Sequence, residues 1–187
     1  MVDKLDHLDL EIIRYLQKQG RISLTELARK VKSSRPTVTY RLKRLIDEEL
    51  IIVVGGLNPR KFGFKIAVVG LEVKRELTTL ETYLRKCPRV LEIFRTPGKA
   101  NIHLCVWGED DQTISSTIES FRSLQNVDII DIQYLGTPIH GDIIINVGPS
   151  DNDKTPCGME CANCYRYNDK WCTGCPASRY HRNPIPE

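Results

Sequence analysis

Five cysteines within about twenty residues of the C-terminal region constrain this chain more than any other feature. Cys157, Cys161, Cys164, Cys172 and Cys175 form a C-x3-C-x2-C-x7-C-x2-C pattern, whereas the first 156 residues contain only Cys87 and Cys105. A segment of roughly 30 residues buries too little apolar surface to fold alone and depends on a metal or on disulfides. Two C-x2-C pairs bring four soft thiolate ligands within reach of one tetrahedral centre. No run of roughly 18 apolar residues is present, and the charged start MVDKLDHLDL is unlike a signal peptide. A cytoplasmic protein with no membrane association is therefore expected. Thiols stay reduced there, so the cluster is read as a metal site rather than a disulfide framework.

Two ligand sets remain open. Zinc would take Cys161, Cys164, Cys172 and Cys175 as two knuckles and leave Cys157 spare. A 4Fe–4S cluster also takes four thiolates, and the closing Cys175-Pro176 is similar to the end of the bacterial ferredoxin run. The C-x3-C-x2-C opening allows Cys157 to be a ligand, with one downstream cysteine completing the set, so five candidates stand for four places. Zinc is the expected occupant because it is the commoner structural solution, with the cluster as the alternative. Tyr165, Tyr167 and Trp171 are expected to shield the site, and His181 is an additional ligand candidate. Cys87 and Cys105 read as packing residues.

Charge points to the other end of the chain. Residues 1–64 carry 13 Lys and Arg against 8 Asp and Glu, residues 65–150 carry 9 against 11, and residues 151–187 carry 5 against 5. The positive excess thus lies in the N-terminal third, where an anionic partner would be met. There Leu8, Ile12, Ile13 and Leu16 recur at helical spacing up to Gly20. Ser23 followed by Glu26 opens a second helix with a capping-box pair, and Ser34 caps a third with Pro36 in its first turn. Val38, Leu42 and Leu45 give that third helix one buried stripe. Arg35, Thr37, Thr39, Tyr40, Lys43 and Arg44 then lie at its exposed end, its outer face or its flank. Two short helices followed by one with such a face predict a helix-turn-helix. Arg35, Thr37, Thr39 and Tyr40 are expected near base edges, and Lys43 and Arg44 at phosphates. Leu50–Leu57 is strand-forming around Gly55-Gly56 and is expected to make a short β-wing.

The ordered motifs LDHLD (5–9), GRISLTELA (20–28), TVTYRLKRL (37–45) and LNPRKFG (57–63) resemble the Lrp/AsnC (feast/famine) transcriptional regulators. The resemblance implies a hinge starting at the Asn58-Pro59 stretch, followed by a domain that binds effectors and pairs into dimers or higher homo-oligomers. The residues past the hinge agree. Strands are expected at 65–73, 90–95, 102–107 and 127–135, and helices at 77–86 and 113–124. This βαββαβ order is that of a ferredoxin-like α+β sandwich. The resemblance also implies a small-molecule effector, commonly an amino acid, near the loop between the second and third strands. The family loop carries Gly then Asp; here Gly98, Lys99 and Asn101 occupy it, which removes a carboxylate from that place.

The expected organisation is a DNA-binding domain over residues 1–56, a hinge over 57–64, the ferredoxin-like domain over 65–145, a linker over 146–156 and the cysteine-rich tail over 157–187. No catalytic constellation is visible. The expected function is a transcriptional regulator that binds palindromic double-stranded DNA and whose tail metal senses metal or redox state. Two rivals stand beside it. One is a tail that is only a structural zinc staple. The other is an enzyme similar to the sirohaem decarboxylases, which would use His103, His140 and Arg95.

Overall fold

The computed structural model describes residues 5–146 and 151–182 and divides into two compact units, one ending at Gly55 and the other beginning at Gly56. The first is helical: α1 (His7–Lys18), α2 (Leu24–Lys30) and α3 (Arg35–Asp47). Each starts on a side-chain cap. Asp6, Ser23 and Ser34 accept hydrogen bonds from the backbone N–H groups of Asp9, Glu26 and Thr37 respectively. The apolar stripes meet in a core of Ile12, Leu27, Ala28, Val38 and Leu45. Burying each of the larger side chains contributes about 1.5–3 kcal/mol.

The expected β-wing is not seen as a hairpin. Residues 52–56 are assigned to no helix or strand, and Ile52, Val53 and Val54 are exposed. Leu57 instead pairs with Ile145 in an isolated antiparallel bridge inside the second unit.

The second unit begins with the short helix α4 (Pro59–Phe62), capped by Asn58 and ended by Gly63 in the left-handed region. Then come β1 (Lys65–Val73), α5 (Leu77–Leu84), β2 (Val90–Arg95), β3 (Ile102–Gly108), α6 (Asp111–Arg122) and β4 (Val127–Gly136). The four strands form one antiparallel sheet in the order β2-β3-β1-β4. This is the expected βαββαβ sandwich. Leu84 of α5 and Ile114, Ile118 and Phe121 of α6 pack with Ala67, Val69, Leu71, Leu104 and Val106. Alternation along β1 and β3 sends these strand residues to the helix-covered face. A second cluster of Phe64, Ile66, Trp107 and Ile145 includes their alternating neighbours.

The cysteine-rich tail belongs to this second unit rather than forming a third. It contains a 3-10 turn (Cys161–Asn163) and the one-turn helix α7 (Tyr165–Asn168). The expected linker begins differently from its composition. Residues 147–150 lie outside the described residues, but Thr155 is buried and its hydroxyl donates to the Met159 carbonyl at 2.9 Å. The segment 151–156 is part of the tail's structure.

Candidate functional site

Helix α3 presents Arg35, Thr37, Thr39, Tyr40 and Lys43 as exposed residues, and Tyr40 keeps 68% of its surface accessible. Its N-terminus carries no acidic residue in the first turn. Ser34 and Thr37 share a 2.7 Å hydroxyl contact, and the Thr39 hydroxyl donates to the Arg35 carbonyl at 2.8 Å, so both threonines are held in fixed orientations. Arg44 departs from its expected place at phosphates. Its guanidinium donates to Asp9 Oδ2 at 2.6 Å, and Asp9 is fully buried.

Arg41 joins the same cluster, 2.6 Å from Asp6 Oδ2 and 3.4 Å from Asp9 Oδ2. Asp6 and Asp9 also cap α1 reciprocally, each accepting from the other's backbone N–H. The Asp9 N–H bond, with Arg41 beside it, holds the Asp6 carboxyl below the usual carboxylate range. This cluster ties α1 to the recognition helix, and sequence reasoning missed it. The available signal was Asp6-x-x-Asp9, a capping box with Asp where Glu or Gln is usual.

The loop at 98–101 follows β2. Gly98 takes a φ of 124° and Lys99 is exposed. Asn101 closes the loop against the end of β1: its amide nitrogen donates to the Val73 carbonyl and its oxygen accepts from the Val73 N–H, both at 2.9 Å. Its role here is that of a strand neighbour, with both ends of the amide engaged. A carboxylate nonetheless stands nearby. Asp131 of β4 pairs with Gly70 and lies over it, and a Cβ at Gly70 would collide with Asp131 and crowd Ala100. His103 and Arg95 are committed elsewhere, to the Thr96 hydroxyl at 2.9 Å and to Glu81. His140 lies exposed in a loop.

The tail cysteines converge. Cys157, Cys161, Cys164, Cys172 and Cys175 all line one cavity, together with Thr155, Arg89, Arg166 and a sixth cysteine, Cys87. None is in a disulfide. Among the described residues no three His, Cys, Asp or Glu side chains surround a single ion position. The sulfurs accept local hydrogen bonds: Gly174 N–H to Cys172 at 3.4 Å and the Ser178 hydroxyl to Cys161 at 3.8 Å. Burial pushes the Cys175 thiol up to about 12 and also raises Cys87. Unmetallated, these are not the acidic thiols of a nucleophile.

Buried charge holds this cavity in place. Arg89, with 4% of its side chain exposed, pairs with Glu109 (5%) at 2.8 Å and donates to the Gly174 carbonyl at 2.5 Å and the Thr173 hydroxyl at 2.9 Å. Thr173 and His181 both reach the Glu109 carboxylate, at 2.8 and 2.7 Å. Burial raises the Glu109 carboxyl. The hydrogen bond from His181 and the Arg89 guanidinium, with Thr173, outweigh that effect and bring it to about 2. Gly174, at φ 91°, packs where a Cβ would meet the Tyr180 carbonyl.

Three sequence expectations change here. His181 is a partner of Glu109 and does not line the cavity; Cys87 does; and Tyr165 and Trp171 are 63% and 60% exposed beside a separate groove with Asp111 and Glu119. Tyr167 packs edge-on against Tyr180 under Arg182.

Residues 5–52 match the family model for winged helix-turn-helix DNA-binding. The proline dehydrogenase transcriptional activator of Rhizobium radiobacter is 34% identical over 134 residues, covering 66% of this chain and 86% of that protein. The regulator LrpC of Bacillus subtilis is 31% identical over 121 residues, covering 62% of this chain and 82% of that protein. Its solved structure aligns with a TM-score of 0.55 at 26% identity, over 76% of this chain and 99% of that one. A Neisseria meningitidis transcriptional regulator solved as an L-Met complex shares the fold, with a TM-score of 0.60 at 23% identity over 75% of this chain and 94% of that one. With its capped helix-turn-helix joined in one chain to a β2-β3-β1-β4 sandwich, this protein belongs to the Lrp/AsnC family of DNA-binding transcriptional regulators.

Proposed function

We propose that the protein is an Lrp/AsnC-type regulator whose operator binding responds to a metal centre built by the cysteine-rich tail. The observation that carries this reading is the convergence of all five tail cysteines, none in a disulfide, on one cavity of the unit that contains the ferredoxin-like sheet. At the other end, Arg35, Thr37, Thr39 and Tyr40 would read base edges in the major groove and Lys43 would contact phosphate. A homodimer would place two recognition helices about one helical turn apart on a roughly palindromic site. Such a regulator couples to a ligand only if the bound and empty states bind DNA with different affinity.

An operator selected from random duplex DNA with the full chain provides the assay. Metal-loaded and metal-free protein should differ at least about fivefold in affinity, the low end of typical coupling free energies. Equal affinity in both states, with metal bound in one of them, would reduce the tail to a structural staple. A second ligand is favoured by Asp131 beside the 98–101 loop, a carboxylate suited to an amino group. The L-Met complex of a protein with the same fold is consistent with an amino-acid effector. Calorimetric titration of the full chain with the amino acids checks it, and Asp131→Asn should weaken any binding found.

A further inference from the structure

Cys87 reads as a packing residue, yet it lies in the cysteine cavity. It sits in the turn between α5 and β2, with its N–H bonded to Leu84 and its carbonyl to Val90, both at 3.0 Å. Two residues on, Arg89 anchors the tail through Gly174 and Thr173, so the same turn that docks the tail delivers this thiol to the cavity.

The geometry also bears on what fills the space. Tetrahedral zinc with Zn–S distances of about 2.3 Å gathers its four sulfurs to within about 3.8 Å of one another. Six thiols surround this cavity, but no three metal-binding side chains of the described residues surround one ion position. A cubane cluster presents iron at four corners, so its thiolates are held farther apart than those of a single ion. Arg89 and Arg166 also line the cavity, and Arg166 is tied to the Ser116 carbonyl at 2.8 Å. Arg89 is already neutralised by Glu109, so Arg166 is the cavity guanidinium that would offset part of the net negative charge of four thiolates on a cluster core.

We infer that the cavity holds a polynuclear iron–sulfur cluster of the 4Fe–4S class, that Cys87 is one of its ligands, and that the other thiolates come from the tail. Each ligating cysteine loses its thiol proton on binding. The cluster then bridges the tail and the α5–β2 turn, so its assembly cross-links the tail to the sheet domain. This rests on the tail being a metal site at all, and the test separates the two claims.

The full chain is purified without oxygen and analysed for iron, acid-labile sulfide and zinc, alongside Cys87→Ser and Cys105→Ser; a metal-free sample is reconstituted with ferrous iron and sulfide. The expected result is brown protein with about four iron and four sulfide per chain. Cys105→Ser should match it, while Cys87→Ser should drop to about three iron or fewer. Resistance of the Cys87→Ser tail to trypsin before reconstitution shows that its fold is retained, and Cys87→Ala replaces it if that resistance is lost. A cluster with full iron content in both Cys87 variants overturns the assignment of Cys87. Colourless protein with about one zinc per chain overturns the cluster and leaves the metal-binding reading standing. Protein that takes up neither zinc nor a cluster overturns both.

Discussion

At the scale of single residues, the recognition helix divides its cations by role. Lys43 is exposed, whereas Arg44 is turned inward onto buried Asp9. Lys43→Ala should weaken DNA binding about equally on all sequences and lower the salt slope by about 1, with folding unchanged. Arg44→Ala leaves a buried carboxylate short of a partner and should destabilise the helical unit by about 3 kcal/mol, read by chemical denaturation. Arg41 remains beside Asp9 in that variant and holds the loss to the low end of what breaking a buried pair costs.

Glu109 gives a pH signature. Its folded-state pKa of about 2 lies below the usual glutamate value of 4.5, so its contribution is fully present above about 4.5 and drains as the pH falls toward 2. That contribution is on the order of 3 kcal/mol, and Glu109→Gln should remove the acid-side loss from a stability profile of the sheet unit. Arg89 and His181 are the titratable partners that face Glu109 across this contact.

At the scale of elements, three helices of the DNA-binding unit owe their registers to short polar caps. Ser34→Ala removes the acceptor for the Thr37 N–H and frees the Thr37 hydroxyl that Ser34 holds. It should cost about 1 kcal/mol and fray the end of α3 that carries Arg35 and Thr37, which protection of the Thr37 amide from hydrogen exchange would report. The caps at Ser23 and Ser34 were readable because they are local: an N-cap involves residues three apart. The wing was not. Leu50–Leu57 is strand-forming by composition, but a strand needs a partner supplied from outside the segment, and among the described residues Leu57 alone finds one, in Ile145. Its neighbours Ile52 and Val54 keep 82% and 62% of their surface exposed.

At the scale of the molecule, the tail is the second unit's own wall rather than an appendage. Its attachment rests on Arg89, which links Glu109, Thr173 and Gly174 and lies over the Trp107 ring at 5.0 Å. Arg89→Ala leaves Glu109 buried with a reduced set of partners and should release the tail, so that limited trypsin digestion cuts within residues 151–182 while the sheet survives. A tail as resistant as in the unaltered chain would mean that its other contacts, Thr173 and His181 to Glu109 and Arg166 to Ser116, hold it without Arg89.

The amino-acid sequence by itself determined the elements and their order. Helical stripes, caps and alternating strands are encoded in residues a few positions apart, and the βαββαβ order admits few topologies. It also placed five cysteines close enough along the chain to share one site. What only the tertiary structure decided involves residues far apart in sequence. Asp9 meets Arg44 across 35 positions, Arg89 meets Gly174 across 85, and Asp131 reaches the loop at Ala100 over Gly70. Cys87 looked like packing because no other Cys or His lies within ten residues of it. It joins the cysteine cavity because the α5–β2 turn faces the tail, and that approach is set by a buried ion pair that no local pattern announces.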